Sequence, residues 1–402
     1  MKAVVFTLGC KVNEVESASI MSALEAAGWQ TDDKLSFADA YVLNTCAVTR
    51  EAEKKSRQLV ARVRKFNPQA NIFVCGCASE KDKKSFEERG VTFVTGARKK
   101  EEVLKAFTKV YGAGGERLAY PKQTKTRAFI KIQDGCNNFC SYCIIPYLRG
   151  RETSRTVEDV VREVELTDSP EIVLNGINIS SYEGGLDKLI CALHGVNKRI
   201  RLGSLECSVI TDELLTALKG LADFAPQFHL SLQSGSTRVL KSMNRHYTRE
   251  EYLKKCALIY KYFPDAGITT DIIAGFATET QEDFEESLSI IEKAGFSRIH
   301  AFAFSPREGT VAYKLKDLPP EVKSQRLHRL LQEGEKCAKE FISKRLGAYY
   351  EIISEDFSEG YTCGYTGNYI RVYVQGELAA GKKYKVQLKE LYKDGALAVV
   401  NG

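Results

Sequence analysis

KIQDGCNNFCSYCIIPYLRGRETSR, residues 131–155, is the stretch around which this 402-residue chain is organised. Leading into it, Phe129-Ile130-Lys131-Ile132 reads as a short strand ending at Asp134-Gly135. Three cysteines follow, Cys136, Cys140 and Cys143, in C-x3-C-x2-C spacing. A tetrahedral zinc site wants four ligands, and nothing nearby supplies the fourth. A four-iron cluster normally takes four thiolates, so three leave one iron open, which suits a cluster that binds its substrate. Spacing alone leaves a structural metal loop as the alternative.

Hydrophobic residues make up 44% of the chain and charged residues 27%, the balance of an ordinary folded protein. The length allows two or three domains with a substantial core. Lys and Arg exceed Asp and Glu by a formal +6, which is compatible with a nucleic-acid partner and does not require one. The N-terminus, MKAVVFTLGCKVNEVES, lacks the continuous apolar core of a signal peptide. No apolar run reaches the length of a membrane span. A cytoplasmic protein with no membrane partner is the expectation. Its 12 cysteines are then reduced, and clustered ones read as metal ligands rather than disulfides.

Residues 1 to about 110 alternate strand and helix. Strands are expected at 3–8, 40–44, 71–75 and 91–94, with helices at 14–27 and 50–65, a pattern that argues for an open parallel sheet. A cysteine lies just past each of the first three strands: Cys10, Cys46 and Cys77. Ligands of such sheets bind at the carboxyl ends of the strands, so three thiols from distant positions converge there as a second metal site. For any one of them alone, a small residue in a turn is the plainer reading. Cys75 ends an apolar run and reads as core, yet it is the rival for the third position. The helix after Cys46 carries Arg50, Lys54, Lys55, Arg57, Arg62, Arg64 and Lys65, either a solvated face or a phosphate-contacting one.

Residues 111–127 lose periodicity and read as a linker. Six further strands, at 129–133, 171–175, 200–205, 228–232, 268–274 and 299–304, suit an incomplete parallel barrel with its chemistry at the C-terminal strand ends. In Phe228–Gly235, period-two alternation puts His229, Ser231 and Gln233 on one face. Glu206 and Asp271 are carboxylates in apolar runs, each a structural acceptor or a cofactor contact. Cys191, Cys207, Cys256 and Cys337 read as core. After a helix over 321–345, short alternating runs punctuated by glycine predict a small β-barrel or sandwich. Tyr365, Tyr369, Arg371, Tyr373 and Lys382 are its candidates for nucleic-acid contact, with local acidic residues offsetting its lysines.

Together these stretches resemble the methylthiotransferases of the radical S-adenosylmethionine superfamily across essentially the whole chain. The resemblance rests on TLGCKVNEVES at 7–17, NTCAVT at 44–49, Gly76-Cys77 and DGCNNFCSYCIIPYLRGRETSR at 134–155. It continues through IVLNGINISSY at 172–182, RLGSLE at 201–206, HLSLQSGSTRVLKSMNRHYT at 229–248 and SPREGTVAY at 305–313. TLGCKVN and NTCAVT look most like the branch that modifies N6-threonylcarbamoyladenosine in tRNA. Ala78-Ser79-Glu80 and AGFATET at 274–280 depart from the common family forms without touching an expected iron ligand.

The resemblance implies an α/β protein of three domains. These are an N-terminal open parallel-sheet domain over 1–115, a partial (βα)6 radical SAM barrel over 122–345, and a small C-terminal β-barrel of the RNA-binding TRAM type over 346–402. It implies that Cys136, Cys140 and Cys143 hold a 4Fe-4S cluster whose open iron chelates S-adenosylmethionine, giving a 5′-deoxyadenosyl radical on reductive cleavage. Cys10, Cys46 and Cys77 hold an auxiliary 4Fe-4S cluster, whose sulfur is methylated by a second S-adenosylmethionine and delivered to adenine C2. The C2–H bond is too strong for acid–base chemistry, which is why a carbon radical is needed. Gly176, Glu206, Ser231 and Gln233 are the candidate cofactor contacts. The implied partners are the tRNA anticodon stem-loop and a reducing electron donor, with the protein a monomer. Isopentenyladenosine in tRNA and a ribosomal-protein side chain are the alternative substrates.

Overall fold

In the computed structural model, which describes residues 1–115, 118, 120–123 and 126–401, the first apolar runs form one parallel sheet. Its strands are β1 (Lys2–Thr7), β2 (Gln30–Asp32), β3 (Ala40–Thr45), β4 (Asn71–Gly76) and β5 (Phe93–Val94), in the order β2-β1-β3-β4-β5, with every pairing parallel. Both faces are buried, so the strands read as continuous apolar runs. Val5, Val42, Phe73 and Cys75 pack on Val103, Leu104 and Phe107 of the helix Glu101–Tyr111. Val4, Leu43, Ile72 and Val74 pack on Leu59, Val60 and Val63 of the helix Arg50–Arg64. That helix starts where the Thr49 side chain accepts from the Ala52 N–H (3.1 Å), and it carries acids in its first turn and arginines in its last, as its dipole favours. The edge strand β2 is too short and polar for the periodicity to have signalled it, and the expected strand at 91–94 shrinks to Phe93–Val94.

The chain divides into two compact units. The first comprises Met1–Gln123, Asp134–Thr153 and Arg307–Thr310, and the second Thr124–Gln133, Ser154–Pro306 and Val311–Gly402. The linker expected at 111–127 lies partly outside the described residues. Where it is described, the helix Glu101–Tyr111 takes its first residue.

The later strands are β6 (Arg127–Asp134), β7 (Thr153–Ser154), β8 (Glu171–Gly176), β9 (Arg199–Leu202), β10 (Ser204–Leu205), β11 (Gln227–Leu230), β12 (Gly267–Ala274) and β13 (Arg298–Ala303). They form two sheets, β7-β6-β8-β9 and β10-β11-β12-β13. The expected strand at 200–205 is broken at Gly203: β9 pairs with β8, and β10 pairs with β11. One continuous segment therefore serves both sheets and curls them into the incomplete parallel barrel. The strand faces turned toward the surrounding helices pack Ile130, Leu174, Ile200, Leu230, Ile268 and Ile272 against them. Two of those helices open with capping boxes, Thr248 with Glu251 and Thr280 with Asp283. The strand expected at 228–232 stops at Leu230, so Ser231 and Gln233 stand in the loop beyond it. Gln233 there takes a left-handed φ of 70°. Of the cysteines read as core, Cys207 and Cys256 are buried and Cys337 partly so, but Cys191 is exposed on the helix Leu186–Ala192.

The last strands, β14 (Tyr349–Ser358), β15 (Tyr361–Thr366), β16 (Arg371–Gln375), β17 (Lys383–Tyr392) and β18 (Gly395–Val400), close into a barrel rather than a sandwich, ordered β14-β15-β16-β18-β17. Tyr365 and Tyr369 stack on each other (4.8 Å). Arg127 lies over Tyr365 and Arg201 over Tyr369, at 4.5 and 4.7 Å. Arg201 is itself fixed by Glu171 (2.8 Å) and the Gly367 carbonyl (3.0 Å). No helix among the described residues is long and apolar enough to cross a membrane.

Candidate functional site

In the order β2-β1-β3-β4-β5 the chain reverses direction between β1 and β3, the place where open α/β sheets bind ligands beyond their carboxyl ends. Cys10 leaves β1 and caps the helix Lys11–Ala26, exposed. Cys46 leaves β3, buried, with its N–H donating to Ser56 Oγ (3.0 Å). Cys77 opens the short helix Cys77–Lys81 after β4. Gly76 makes that turn possible: its φ is 106°, and a Cβ there would meet the Thr45 carbonyl oxygen at 2.4 Å. Asn13 ties the strand ends together, its Nδ2 donating to the carbonyls of Leu8 (2.8 Å) and Thr45 (3.2 Å).

The three thiols lie in one another's fields. Burial pushes the Cys46 thiol up, and Cys77 and Cys10 push it further. Burial likewise raises Cys77, with Arg149 and Lys100 pulling the other way and Cys10 adding to the rise. Both thiols are therefore held in their protonated form at neutral pH. Cys75 points elsewhere: fully buried, it packs with Val5, Val42, Phe73 and Phe107, and burial raises its thiol to about 11.

The loop Cys136–Cys143 belongs to the same compact unit. Gly135 introduces it with a φ of 73°, where a Cβ would strike the Arg151 carbonyl oxygen at 2.0 Å. Cys136 N–H donates to the Gly150 carbonyl (3.1 Å) and Cys143 N–H to that of Cys140 (2.9 Å). Phe139, between the first two cysteines, is itself left-handed with φ 46°. Glu152 accepts from both the N–H and Nδ2 of Asn137 (3.1 and 3.0 Å), closing the loop's base. Ile144 and Leu148 then bury themselves beside Cys77 and Ala78.

Arg149 ends that helical turn and is almost wholly buried. Its Nη1 meets Glu16 (3.1 Å) and Asp134 (2.9 Å), and its Nη2 meets Asn13 Oδ1 (2.6 Å). Burial disfavours the cation, but Glu16 and Asp134 outweigh that and hold it charged. Lys100, equally buried, pairs with Glu16 and donates to Asn44 Oδ1 (3.0 Å). Arg307, from the far end of the barrel sequence, donates to the carbonyl of Ala47 (2.7 Å) and to Glu53 (2.6 Å). None of these roles was visible in the sequence. Arg149 and Arg307 stand inside the quoted motifs, but residue type alone does not tell a buried cation from a solvated one.

In the second unit the candidate cofactor residues stand at C-terminal strand ends. Gly176 closes β8, where a Cβ would crowd Ile179 at 2.8 Å and the Gln133 carbonyl at 2.9 Å. Glu206 follows β10, its N–H donating to Ser180 Oγ and its carboxylate pairing with Arg245, both at 2.8 Å. Ser231 N–H donates to Leu205 (3.0 Å) and Gln233 N–H to Asp271 (2.8 Å), main chain to main chain. Asp271 Oδ2 takes His229 Nε2 (3.2 Å), and Thr269 Oγ1 lies 3.0 Å from Nδ1 of the same ring. Burial lowers the pKa of His300, on the next strand, and His229 lowers it further.

Two family descriptions match the chain: Uncharacterized protein family UPF0004 over residues 2–96 and the Radical SAM superfamily over residues 130–291. The threonylcarbamoyladenosine tRNA methylthiotransferase MtaB of Bacillus subtilis is 38% identical over 379 residues, covering 87% of this chain and 84% of that one. The tRNA-2-methylthio-N(6)-dimethylallyladenosine synthase of Acetivibrio thermocellus is 34% identical over 384 residues, covering 88% and 80%. The chain belongs to the radical S-adenosylmethionine methylthiotransferases. Its fold is like that of the radical S-adenosylmethionine methyltransferase TsrM of Kitasatospora setae, solved with cobalamin and a 4Fe-4S cluster. The TM-score is 0.58 at 12% identity, over 75% of this chain and 72% of that one.

Radical S-adenosylmethionine methylthiotransferases are enzymes that use S-adenosylmethionine and 4Fe-4S clusters. Among the described residues, no three His, Cys, Asp or Glu side chains form a set able to hold a metal ion. A four-iron cube makes a different demand, since each thiolate takes its own corner iron. Three thiols in mutual electrostatic reach around adjacent strand ends fit that demand, and so does a loop offering three cysteines within eight residues. The aromatics expected to meet RNA are engaged internally in this methylthiotransferase: Tyr365 and Tyr369 in their arginine-flanked stack, Tyr373 buried against Asp394.

Proposed function

We propose that this protein methylthiolates C2 of N6-threonylcarbamoyladenosine beside the anticodon of tRNA. The observation that carries the reading is the convergence of Cys10, Cys46 and Cys77 at three adjacent strand ends, in the same compact unit as the Cys136–Cys143 loop. The similarity to the Bacillus subtilis threonylcarbamoyladenosine enzyme supports the substrate, as do TLGCKVN and NTCAVT. When bound, the two clusters and S-adenosylmethionine supply the radical that removes hydrogen from C2 and the methylated sulfur that replaces it.

The chain's own residues do the rest. Cys136, Cys140 and Cys143 hold one cluster and leave one iron for S-adenosylmethionine, while Cys10, Cys46 and Cys77 hold the other. Gly176 admits the cofactor where a side chain would block it, and Glu206, Ser231 and Gln233 bind its polar groups at the strand ends. The domains are 1–115, 122–345 and 346–402, the last a TRAM-type barrel that grips the anticodon stem-loop. The protein works in the cytoplasm as a monomer and takes electrons from a low-potential donor.

Mass analysis of tRNA nucleosides with and without the gene tests this. Loss of 2-methylthio-N6-threonylcarbamoyladenosine alone is the expected result. Loss of the methylthiolated dimethylallyladenosine instead would favour the second reading, which the Acetivibrio thermocellus relative motivates. Unchanged tRNA with a lost methylthio group on a ribosomal protein would overturn both.

A further inference from the structure

We propose that Arg149 is a positioning residue for the N-terminal cysteine set, fixing a positive charge beside Cys77 and supplying a buried N–H donor to the sulfur centre held there. This deepens the reading above and rests on Cys10, Cys46 and Cys77 binding a 4Fe-4S cluster.

The Arg149 side chain is 1% exposed. Such a guanidinium is tolerated only where anions and acceptors meet it. Its two terminal nitrogens are fully used by Glu16, Asp134 and Asn13. Its Nε is not: that atom is buried and has no hydrogen-bond partner. A buried donor left without an acceptor calls for an explanation. The adjoining groups supply one, because Cys77 lies in the field of the same guanidinium and Cys46 feels it too. The helical turn that ends in Arg149 is packed beside Cys77 through Ile144 and Leu148.

The charges explain what the cation does. Arg149 and Lys100 are balanced by Glu16 and Asp134 before any thiolate is counted. A cube with three thiolates adds net negative charge and gains one more on reduction. A fixed cation and a hydrogen bond to sulfur both favour the reduced form. Arg149 therefore raises the reduction potential of the N-terminal cluster, and it does so from the segment that carries the other three cysteines.

The test uses full-length protein with Cys136, Cys140 and Cys143 all changed to Ala, so that only the N-terminal cluster is loaded. Its midpoint potential is followed by electron paramagnetic resonance during a redox titration, alongside iron content and circular dichroism. R149Q alone removes the cation that Glu16 and Asp134 both meet and endangers the fold. R149Q/D134N removes one charge of each sign, and D134N is its control. We expect R149K to keep the parent potential and R149Q/D134N to fall below both the parent and D134N. Loss of iron from R149Q/D134N with its fold intact, while R149K retains iron, counts the same way. An unchanged potential and iron content in R149Q/D134N would overturn the inference and leave the cluster assignment standing. A parent that binds no iron would overturn the assignment itself.

Discussion

Arg307 and Ala47 stand 260 residues apart, yet Arg307 Nη2 donates to the Ala47 carbonyl oxygen at 2.7 Å. Ala47 is the residue after Cys46, so a side chain beyond the last barrel strand fixes the turn that presents an N-terminal cysteine. The same nitrogen meets Glu53 (2.6 Å), which also pairs with Arg57 (2.7 Å) and Lys81 (3.1 Å). Glu53 thus sits under three cations on the helix that follows Cys46.

Arg307→Met removes one charged hydrogen bond to a carbonyl and one to a carboxylate that keeps two other partners. The expected loss is about 2–3 kcal/mol in urea unfolding. Iron retained by reconstituted protein should fall towards one cluster, through disorder at Cys46. Full iron with wild-type stability would show that the contact is dispensable.

Glu53 also sets an acid limit. Burial alone would raise its carboxyl, but Arg57, Arg307 and Lys81 prevail and hold it at about 2, below the ordinary 4.5. A carboxyl depressed on folding contributes stability that is complete above its unfolded pKa and is lost as pH falls through the folded one. The window is therefore from about pH 4.5 down to about 2. Thermal melts of apoprotein across that window should fall less steeply for Glu53→Gln than for wild type. Parallel slopes would contradict the assignment.

Cys75 and Cys77 separate by role. Cys75→Ala removes a sulfur from a packed core and should cost on the order of 1 kcal/mol while both clusters load. Cys77→Ala should load only the barrel-loop cluster and yield no methylthiolated tRNA. Wild-type protein should then carry about eight irons, and the triple Ala variant of either cysteine set about four. A cluster-deficient Cys75→Ala beside a fully loaded Cys77→Ala would exchange the two assignments.

Cys46→Ala and Cys140→Ala divide the chemistry. The first should still cleave S-adenosylmethionine reductively to 5′-deoxyadenosine, and the second should not. Neither should make product. Each variant is incubated with S-adenosylmethionine and reductant, and 5′-deoxyadenosine, S-adenosylhomocysteine and acid-released methanethiol are assayed. Methanethiol from the Cys46 variant but not from the Cys140 variant would reverse the roles.

The sequence carried these assignments unevenly. Strands buried on both faces announce themselves as apolar runs, so β1, β3 and β4 and the cysteines at their ends could be read directly. The break at Gly203 could not, because Arg199–Leu205 looks like one strand until its two neighbours are known. Ser231 and Gln233 seemed to continue an alternation that Leu230 in fact ends, since Gln233 takes a left-handed turn that local pattern does not encode. Arg149, Glu16 and Lys100 were invisible as a group. Their partnership depends on which charges three distant segments bury together, and a linear pattern holds no record of that.

The first unit is completed by residues 134–153 and 307–310, which gives protein synthesis an order to respect. The first 123 residues contain the whole N-terminal sheet and all three of its cysteines. They do not include Arg149 or Arg307, which join Lys100 at Glu16 and Arg57 and Lys81 at Glu53. Within the sheet those acids already meet Lys100, Arg57 and Lys81, and the last of the added cations arrives only when more than three quarters of the chain has been made. The turn at Ala47, beside Cys46, therefore gains its contact from Arg307 long after the three cysteines of the sheet have been made.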